Sequence, residues 1–288
     1  MVYQLRRYPD AFSFRVECEE FLLLREVENS LMIGLASNLE RGLIQGDEGT
    51  LFGSVWRGES LEGAFLRTKA IKGLILSHMK GDCAGWLAEN LDVSLCECNG
   101  MIPAAQIFAE TFALKRRLIF QVEMFQGVYR LDDVDGHYPF EGEGMVEARD
   151  LPLALVQSFV EGFLWDCFPD SKQNVPEVAR EIIERHNKQN ALFAWRNAGG
   201  EIVSIAAKSR ESRDGTTISL VYTPAHDRKK GYAGRLVAAL SRKCLGEGKR
   251  FCTLYTDLMN PTSNSVYRKV GYHKIAEGLH YKFVEKGS

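Results

Sequence analysis

The chain has 288 residues with 36 Lys+Arg against 38 Asp+Glu, a net charge of -2, and 45% hydrophobic against 26% charged residues. That length is about twice a usual domain, so two domains are expected. The balanced charge gives no pull toward nucleic acid, and no stretch approaches the roughly 18 apolar residues of a membrane helix, so neither is an expected partner.

The N-terminus, Met1-Val2-Tyr3-Gln4-Leu5-Arg6-Arg7-Tyr8-Pro9-Asp10, has no apolar run behind its arginines. No signal peptide is read, and a cytoplasmic location is expected. Helical spacing then covers parts of 12–39. Leu51–Arg57, Leu61–Arg67 and Ala70–Leu76 read as strands around a Gly58-Glu59-Ser60 turn. Gly85–Leu91, Val93–Cys96, Ala104–Leu114 and Leu118–Tyr129 continue as helix, strand, helix, strand. The seven cysteines (18, 83, 96, 98, 167, 244, 252) are scattered, and Cys96-Glu97-Cys98 lacks the two-residue spacer of a zinc or redox pair. Reduced thiols and no metal are the expectation.

Between 132 and 144 fall three glycines, a proline and five carboxylates with little apolar periodicity, the composition of a linker. The chain therefore divides into 1–135 and 144–288. In the second part, Leu153–Cys167 and Val175–Asn187 carry helical spacing. Ala191–Trp195, Ile202–Ala207 and Thr217–Thr223 read as strands, and Gly231–Leu245 as a helix that stops at Gly246-Glu247-Gly248. Phe251–Thr256 is a strand, Ser263–Val270 a helix, and Tyr272–Val284 two short strands. The element order of the two parts is similar, which points to one architecture used twice.

Two segments carry chemistry. In the first, a β-rich run ends at Pro224, which removes a ladder donor and biases Thr223 toward an extended conformation. The basic turn Arg228-Lys229-Lys230 follows, then Gly231-Tyr232-Ala233-Gly234 opening a helix. Free N–H groups at a helix N-terminus, backed by the macrodipole, suit a phosphate, and small residues there let the ligand approach the backbone. Taken alone, the segment also fits a plain strand–turn–helix junction. Neither G-x-G-x-x-G after the strand nor a P-loop occurs. In the second segment, Leu254 to Tyr272, Asn260 or Thr262 is placed to cap a helix that closes at Gly271. Asn264 and Tyr267 lie three apart on one of its faces.

Together the segments resemble the GNAT superfamily of acetyl-CoA-dependent N-acyltransferases, over about residues 145–286. The family's [RQ]-x-x-G-x-[GA] turn matches Arg228 to Ala233, and its Asn…Asn…Tyr…Gly-aromatic helix matches Asn260, Asn264, Tyr267, Gly271 and Tyr272. The resemblance implies a mixed, mostly antiparallel sheet flanked by helices in an α/β fold, with 1–135 a degenerate copy or accessory domain. It implies acetyl-CoA as co-substrate. Main-chain groups of Val221, Tyr222 and Thr223 would lie along the pantetheine arm. Amides from Arg228, Lys229, Lys230, Gly231, Tyr232, Ala233 and Gly234 would hold the pyrophosphate. Asn260, Ser263 and Asn264 would contact the cofactor, and Tyr267 would sit near the thioester sulfur as general acid. The first half reads Ser77-His78-Met79-Lys80-Gly81-Asp82-Cys83 where its turn should be. That segment has an acidic residue and no glycine pair, so no acetyl-CoA is expected there.

The expected function is N-acetylation of a primary amine, on a small molecule or a protein, by direct attack; a homodimer is compatible with it. The alternatives are a non-catalytic acyl-CoA-binding module whose first domain contacts a partner, and a nucleotide-binding regulator. The general base is open among Glu161, Asp166 and a water chain, and Asp257, at the end of a strand near the motif, is placed to orient the loop instead. Trp165 and Phe168 are candidates for either the acceptor groove or the core, and His226 for an exposed turn.

Overall fold

A computed structural model describes residues 2–135, 144–169 and 174–286. The sequence linker lies largely in 136–143, outside the described residues. The first half contributes β1 (Tyr3–Tyr8), α1 (Ala11–Leu23), α2 (Ser30–Glu40), β2 (Leu51–Arg57), β3 (Ser60–Arg67) and β4 (Leu74–Leu76). It continues with α3 (Gly81–Asn90), β5 (Glu97–Met101), α4 (Ala104–Arg116) and β6 (Leu118–Leu131). The second half begins with β7 (Gly144–Glu147), α5 (Leu153–Cys167), α6 (Val175–Asn187), β8 (Leu192–Arg196), β9 (Ile202–Glu211) and β10 (Gly215–Tyr222). It ends with α7 (Tyr232–Gly246), β11 (Phe251–Asp257), α8 (Pro261–Val270) and β12 (His273–Glu285).

Among the described residues, twelve strands form one sheet in the order β1-β2-β3-β4-β5-β12-β6-β11-β10-β9-β8-β7. The sheet is mixed: β4–β5 and β10–β11 pair in parallel, and the remaining neighbours pair antiparallel. The order is symmetric about its centre, where the last strand of each half is built into the other's side. β12 lies between β5 and β6, and β6 lies between β12 and β11. The long β6–β12 ladder runs from Leu118↔Glu285 to Arg130↔His273.

Side-chain burial follows this exchange. Leu279, Tyr281 and Phe283 of β12 enter the first-half core with Phe108 and Phe112, while Tyr129 and Leu131 of β6 enter the second-half core with Trp195, Leu236 and Tyr272. A buried aromatic or leucine side chain is worth about 1.5–3 kcal/mol, so each half carries several such contributions supplied by the other. A second inter-half contact comes from α2, where Gly34 lies so close to Arg210 of β9 that a Cβ would sit 2.5 Å from its Cβ. The adjacent α1–α2 turn is joined to the second half through Glu26, whose Oε1 accepts from the Asp214 N–H at 2.7 Å, and through Ser30 Oγ, 3.1 Å from the Tyr255 hydroxyl.

Several sequence expectations shift. β1 and β7, the two edges of the sheet, have no counterpart in the sequence reading. The strand expected over Ala70–Leu76 is cut to Leu74–Leu76, and the one expected over Val93–Cys96 moves to Glu97–Met101. There Gly100 is pressed against Leu76, its built Cβ 3.0 Å from that side chain. The two strands expected over Tyr272–Val284 are one, with register shifts at Lys274/Ala276 and His280/Tyr281. All seven cysteines are free, with Cys96 and Cys167 exposed.

Candidate active site

The site is set up by an incomplete parallel pairing. β10 meets β11 only at Gly215↔Phe251, Thr216↔Cys252 and Thr217↔Thr253. From Ile218 to Tyr222 the strand has no register partner on β11, and its register to β9 shifts twice over the same stretch. Leu220 sits at φ 54, a left-handed conformation that a branched side chain adopts only under constraint from its surroundings. β10 therefore parts from β11 after Thr217, and the main-chain groups of Ile218–Tyr222 have no register partner there. The other side of β10 is fixed by Ser204, whose hydroxyl donates to the Tyr222 carbonyl at 2.9 Å and accepts from the Thr223 hydroxyl at 2.9 Å.

Beyond Pro224 the chain makes one 3-10 turn, Ala225–Asp227, and enters α7 through Lys229 at φ 64 and Gly231 at φ 86. Gly231 is the N-cap, no side chain caps the helix, and a Cβ there would meet nothing within 4 Å. The first intrahelical donor is the Arg235 N–H, bonded to the Gly231 carbonyl at 3.1 Å. The amides of Tyr232, Ala233 and Gly234 are thus left without intrahelical acceptors at an uncapped helix end, the arrangement an anion fills. Of the cations around it, Lys230 pairs with Asp227 at 2.9 Å and Arg228 pairs with Asp166 at the end of α5.

On the other wall, Asn260 caps α8 by accepting from the Ser263 N–H at 3.1 Å, as the sequence suggests. Asn264 is turned inward. Its Nδ2 donates to the carbonyls of Asp257, Leu258 and Asn260 at 3.0, 3.3 and 2.8 Å, while its Oδ1 is buried without a partner among the described residues. A buried acceptor left unpaired costs about 1–3 kcal/mol. Tyr267, one turn further on, is half-buried against the second-half core, its ring 6.3 Å from that of Tyr272 at 68°. Burial pushes its phenol well above the usual value, with the nearby Cys167 thiol a second cause. The phenol therefore stays protonated throughout the neutral range.

The structure brings the end of α5 to the same place. Cys167, exposed as a residue but with its thiol partly desolvated, is pushed up first by that desolvation, then by Asp166, with Arg228 opposing. Tyr222, whose ring lies 5.8 Å from the Arg228 guanidinium, is likewise pushed up by burial and then by Asp166. The neighbouring Trp165 and Phe168 are 53% and 49% exposed, which takes them out of the core. Glu161, Asp257 and His226 are engaged locally. Glu161 Oε1 accepts from Gln157 at 2.7 Å, Asp257 Oδ1 accepts from the Met259 N–H at 2.8 Å, and the exposed His226 pairs with Asp227 at 3.1 Å. The sequence reading missed Ser204 and Cys167. Neither stands in a motif, and only the fold carries them to the cleft.

The equivalent corner of the first half is filled by its own side chains. The His78 N–H, just past β4, donates to Asn29 Oδ1 at 2.7 Å. Gly81 at the start of α3 lies under Ile107, whose Cδ1 would be 2.4 Å from a Cβ. Asp82 in the first turn of α3 accepts from the Cys83 N–H at 3.0 Å and from the Tyr3 hydroxyl at 2.9 Å. A carboxylate thus already stands at the helix end where a phosphate would.

Comparison with known proteins agrees with this architecture. A family model described as FR47-like protein matches residues 199–281, which span β9 to most of β12. No curated protein sequence matches the chain. A GCN5-related N-acetyltransferase from Sphaerobacter thermophilus superposes with a TM-score of 0.64 at 14% identity, covering 99% of this chain and 97% of that one. A GNAT-family acetyltransferase from Colwellia psychrerythraea gives 0.58 at 9% identity, covering 98% and 100%. A tandem GNAT protein from the clavulanic acid biosynthesis pathway gives 0.53 at 11% identity, covering 100% and 99%. The fold is that of the GNAT superfamily, with two tandem GNAT-like units. Among the described residues, no cluster of three metal-ligating side chains and no helix long and apolar enough to cross a membrane is found.

Proposed function

We propose that this protein is an acyltransferase that moves the acetyl group of acetyl-CoA to a primary amine, with 144–288 as the catalytic unit and 1–135 as an accessory unit. The observation that carries this reading is the open α7 N-terminus beside a splayed β10. It is an uncapped helix end that follows a strand whose last residues lack partners on β11, in the same half as the protonated phenol of Tyr267. The residues fit the co-substrate. Amides from Lys229 to Gly234 would hold its diphosphate. That of Arg228, expected from the sequence to join them, is bonded to the Ala225 carbonyl at 3.4 Å. Main-chain groups of Val221 to Thr223 would lie along its pantetheine. Asn260, Ser263 and the unpaired Oδ1 of Asn264 would meet its amides. When bound, acetyl-CoA supplies an activated acyl group with a thiolate leaving group.

The chain's own residues supply positioning, fixed donors and a proton. Donors aimed at a developing oxyanion act strongly because they need no reorganisation, and the N–H groups left free by the β10 splay are of this kind. Tyr267 holds a proton on its phenol oxygen that can pass to the departing sulfur. β10 carries no carboxylate, so deprotonation of the amine falls to Asp166 or to water.

The test is calorimetric titration with acetyl-CoA, followed by an assay for free thiol over a panel of primary amines. Binding with amine-dependent thiol release supports the reading. Binding without thiol release under any amine would make the chain a non-catalytic acyl-CoA-binding module, and no binding would remove both.

A further inference from the structure

The cations at the α7 turn are not held alike. Lys230 pairs with Asp227, three residues away and only 12% exposed at its side chain, a local contact that keeps the turn in shape. Arg228 instead reaches across the cleft mouth. It pairs with Asp166, 62 residues earlier at the last turn of α5, and its Nε donates to the Thr223 carbonyl at 2.9 Å. Both ends of this pair are about half exposed, 46% and 48%, so it is a weak, exchangeable ion pair. The same guanidinium belongs to the turn whose helix end lies open to an anion, and a diphosphate offers it two charges and bidentate geometry that one exposed carboxylate cannot match.

We infer that Arg228 is shared between two anions, held by Asp166 before the co-substrate binds and transferred to the diphosphate afterwards, so that loading strips Asp166 of its cation. The charge at the cleft mouth thereby becomes conditional: a neutral pair in the resting protein, a free carboxylate beside Cys167 and Tyr222 in the loaded one. Asp166 acts here as a positioning residue for Arg228. The inference rests on the proposed acetyl-CoA site.

The experiment is a double-mutant cycle read by calorimetry with coenzyme A, on wild type, Asp166→Asn, Arg228→Gln and the double variant. Both side chains are half exposed, so the variants should fold as wild type does. Asp166→Asn is expected to tighten binding about 2- to 5-fold by freeing Arg228, the size of an exposed ion pair. Arg228→Gln is expected to weaken it about 10-fold or more, the size of a charge-assisted hydrogen bond. Adding Asp166→Asn to Arg228→Gln should then change nothing. Equal tightening by Asp166→Asn in both backgrounds would mean simple charge repulsion and would overturn the exchange. So would an unchanged affinity in Asp166→Asn. Failure of wild type to bind coenzyme A would instead sink the proposed function, and this inference with it.

Discussion

Tyr267 is the residue on which the chemical reading turns. Its ring is held in the second-half core near Tyr272, yet its hydroxyl makes no hydrogen bond among the described residues, so the phenol is positioned without being consumed. Tyr267→Phe removes one oxygen and leaves that packing intact. It is expected to lower the turnover number about 100- to 10,000-fold while acetyl-CoA affinity stays within about 2-fold. Unchanged turnover at saturating substrates would take the tyrosine out of the mechanism. Asn264 has a different part. Its Nδ2 ties α8 to the end of β11 through three carbonyls, so of its polar atoms only Oδ1 is left for a ligand. The sequence marked both side chains by motif position. It carried no sign that one half of the Asn264 amide is spent on the backbone.

At the scale of elements, α6 carries a titration that is independent of the site. His186 is 4% exposed, and its Nδ1 lies 2.7 Å from the Ile182 carbonyl. Burial pushes its pKa down from 6.5 to about 4; the Ile182 hydrogen bond opposes this, and the charges of Arg185 and Arg210 add to it. The histidine is thus neutral in the fold down to about pH 4, whereas in the unfolded chain it takes a proton near pH 6.5. Its contribution to stability is present above pH 6.5 and is lost as the pH falls toward 4, by up to about 3 kcal/mol. Urea midpoints at pH 7.0 and about 4.5 should show this fall in wild type and a flatter one in His186→Asn. Parallel slopes would contradict it.

The elements also explain what was legible beforehand. α5 and α6 stand where their apolar spacing put them, because amphipathic helices against a sheet announce their buried face. β5 was misplaced because Glu97-Cys98-Asn99-Gly100-Met101 has no strand-like alternation. It is a strand because β4 and β12 pair on its two sides. β1 and β7 were missed because each is an edge, short or charge-rich, with one paired side. The Arg228 and Asp166 contact, between residues far apart in sequence, had no local signal at all.

At the scale of the molecule, similar element order in two halves pointed to one architecture used twice, and the tandem fold bears this out. The chain order did not disclose that β6 and β12 trade places. That exchange follows from register and from which core Phe283 and Tyr129 fill, both non-local quantities. It joins the halves through a continuous ladder while leaving the helix ends that follow β4 and β10 very different. One is an open helix end with Gly231 at its cap; the other is closed by Asn29, Ile107 and Asp82. Two similar units should therefore bind one coenzyme A between them.

Amide-resolved NMR during titration with coenzyme A tests that asymmetry most directly. The expected result is one-to-one saturation, with the largest shifts at Val221 to Thr223 and Arg228 to Gly234 and none at His78 to Gly85. Shifts centred on His78 to Gly85, or saturation that leaves the amides of Gly231 to Gly234 unmoved, would contradict the account.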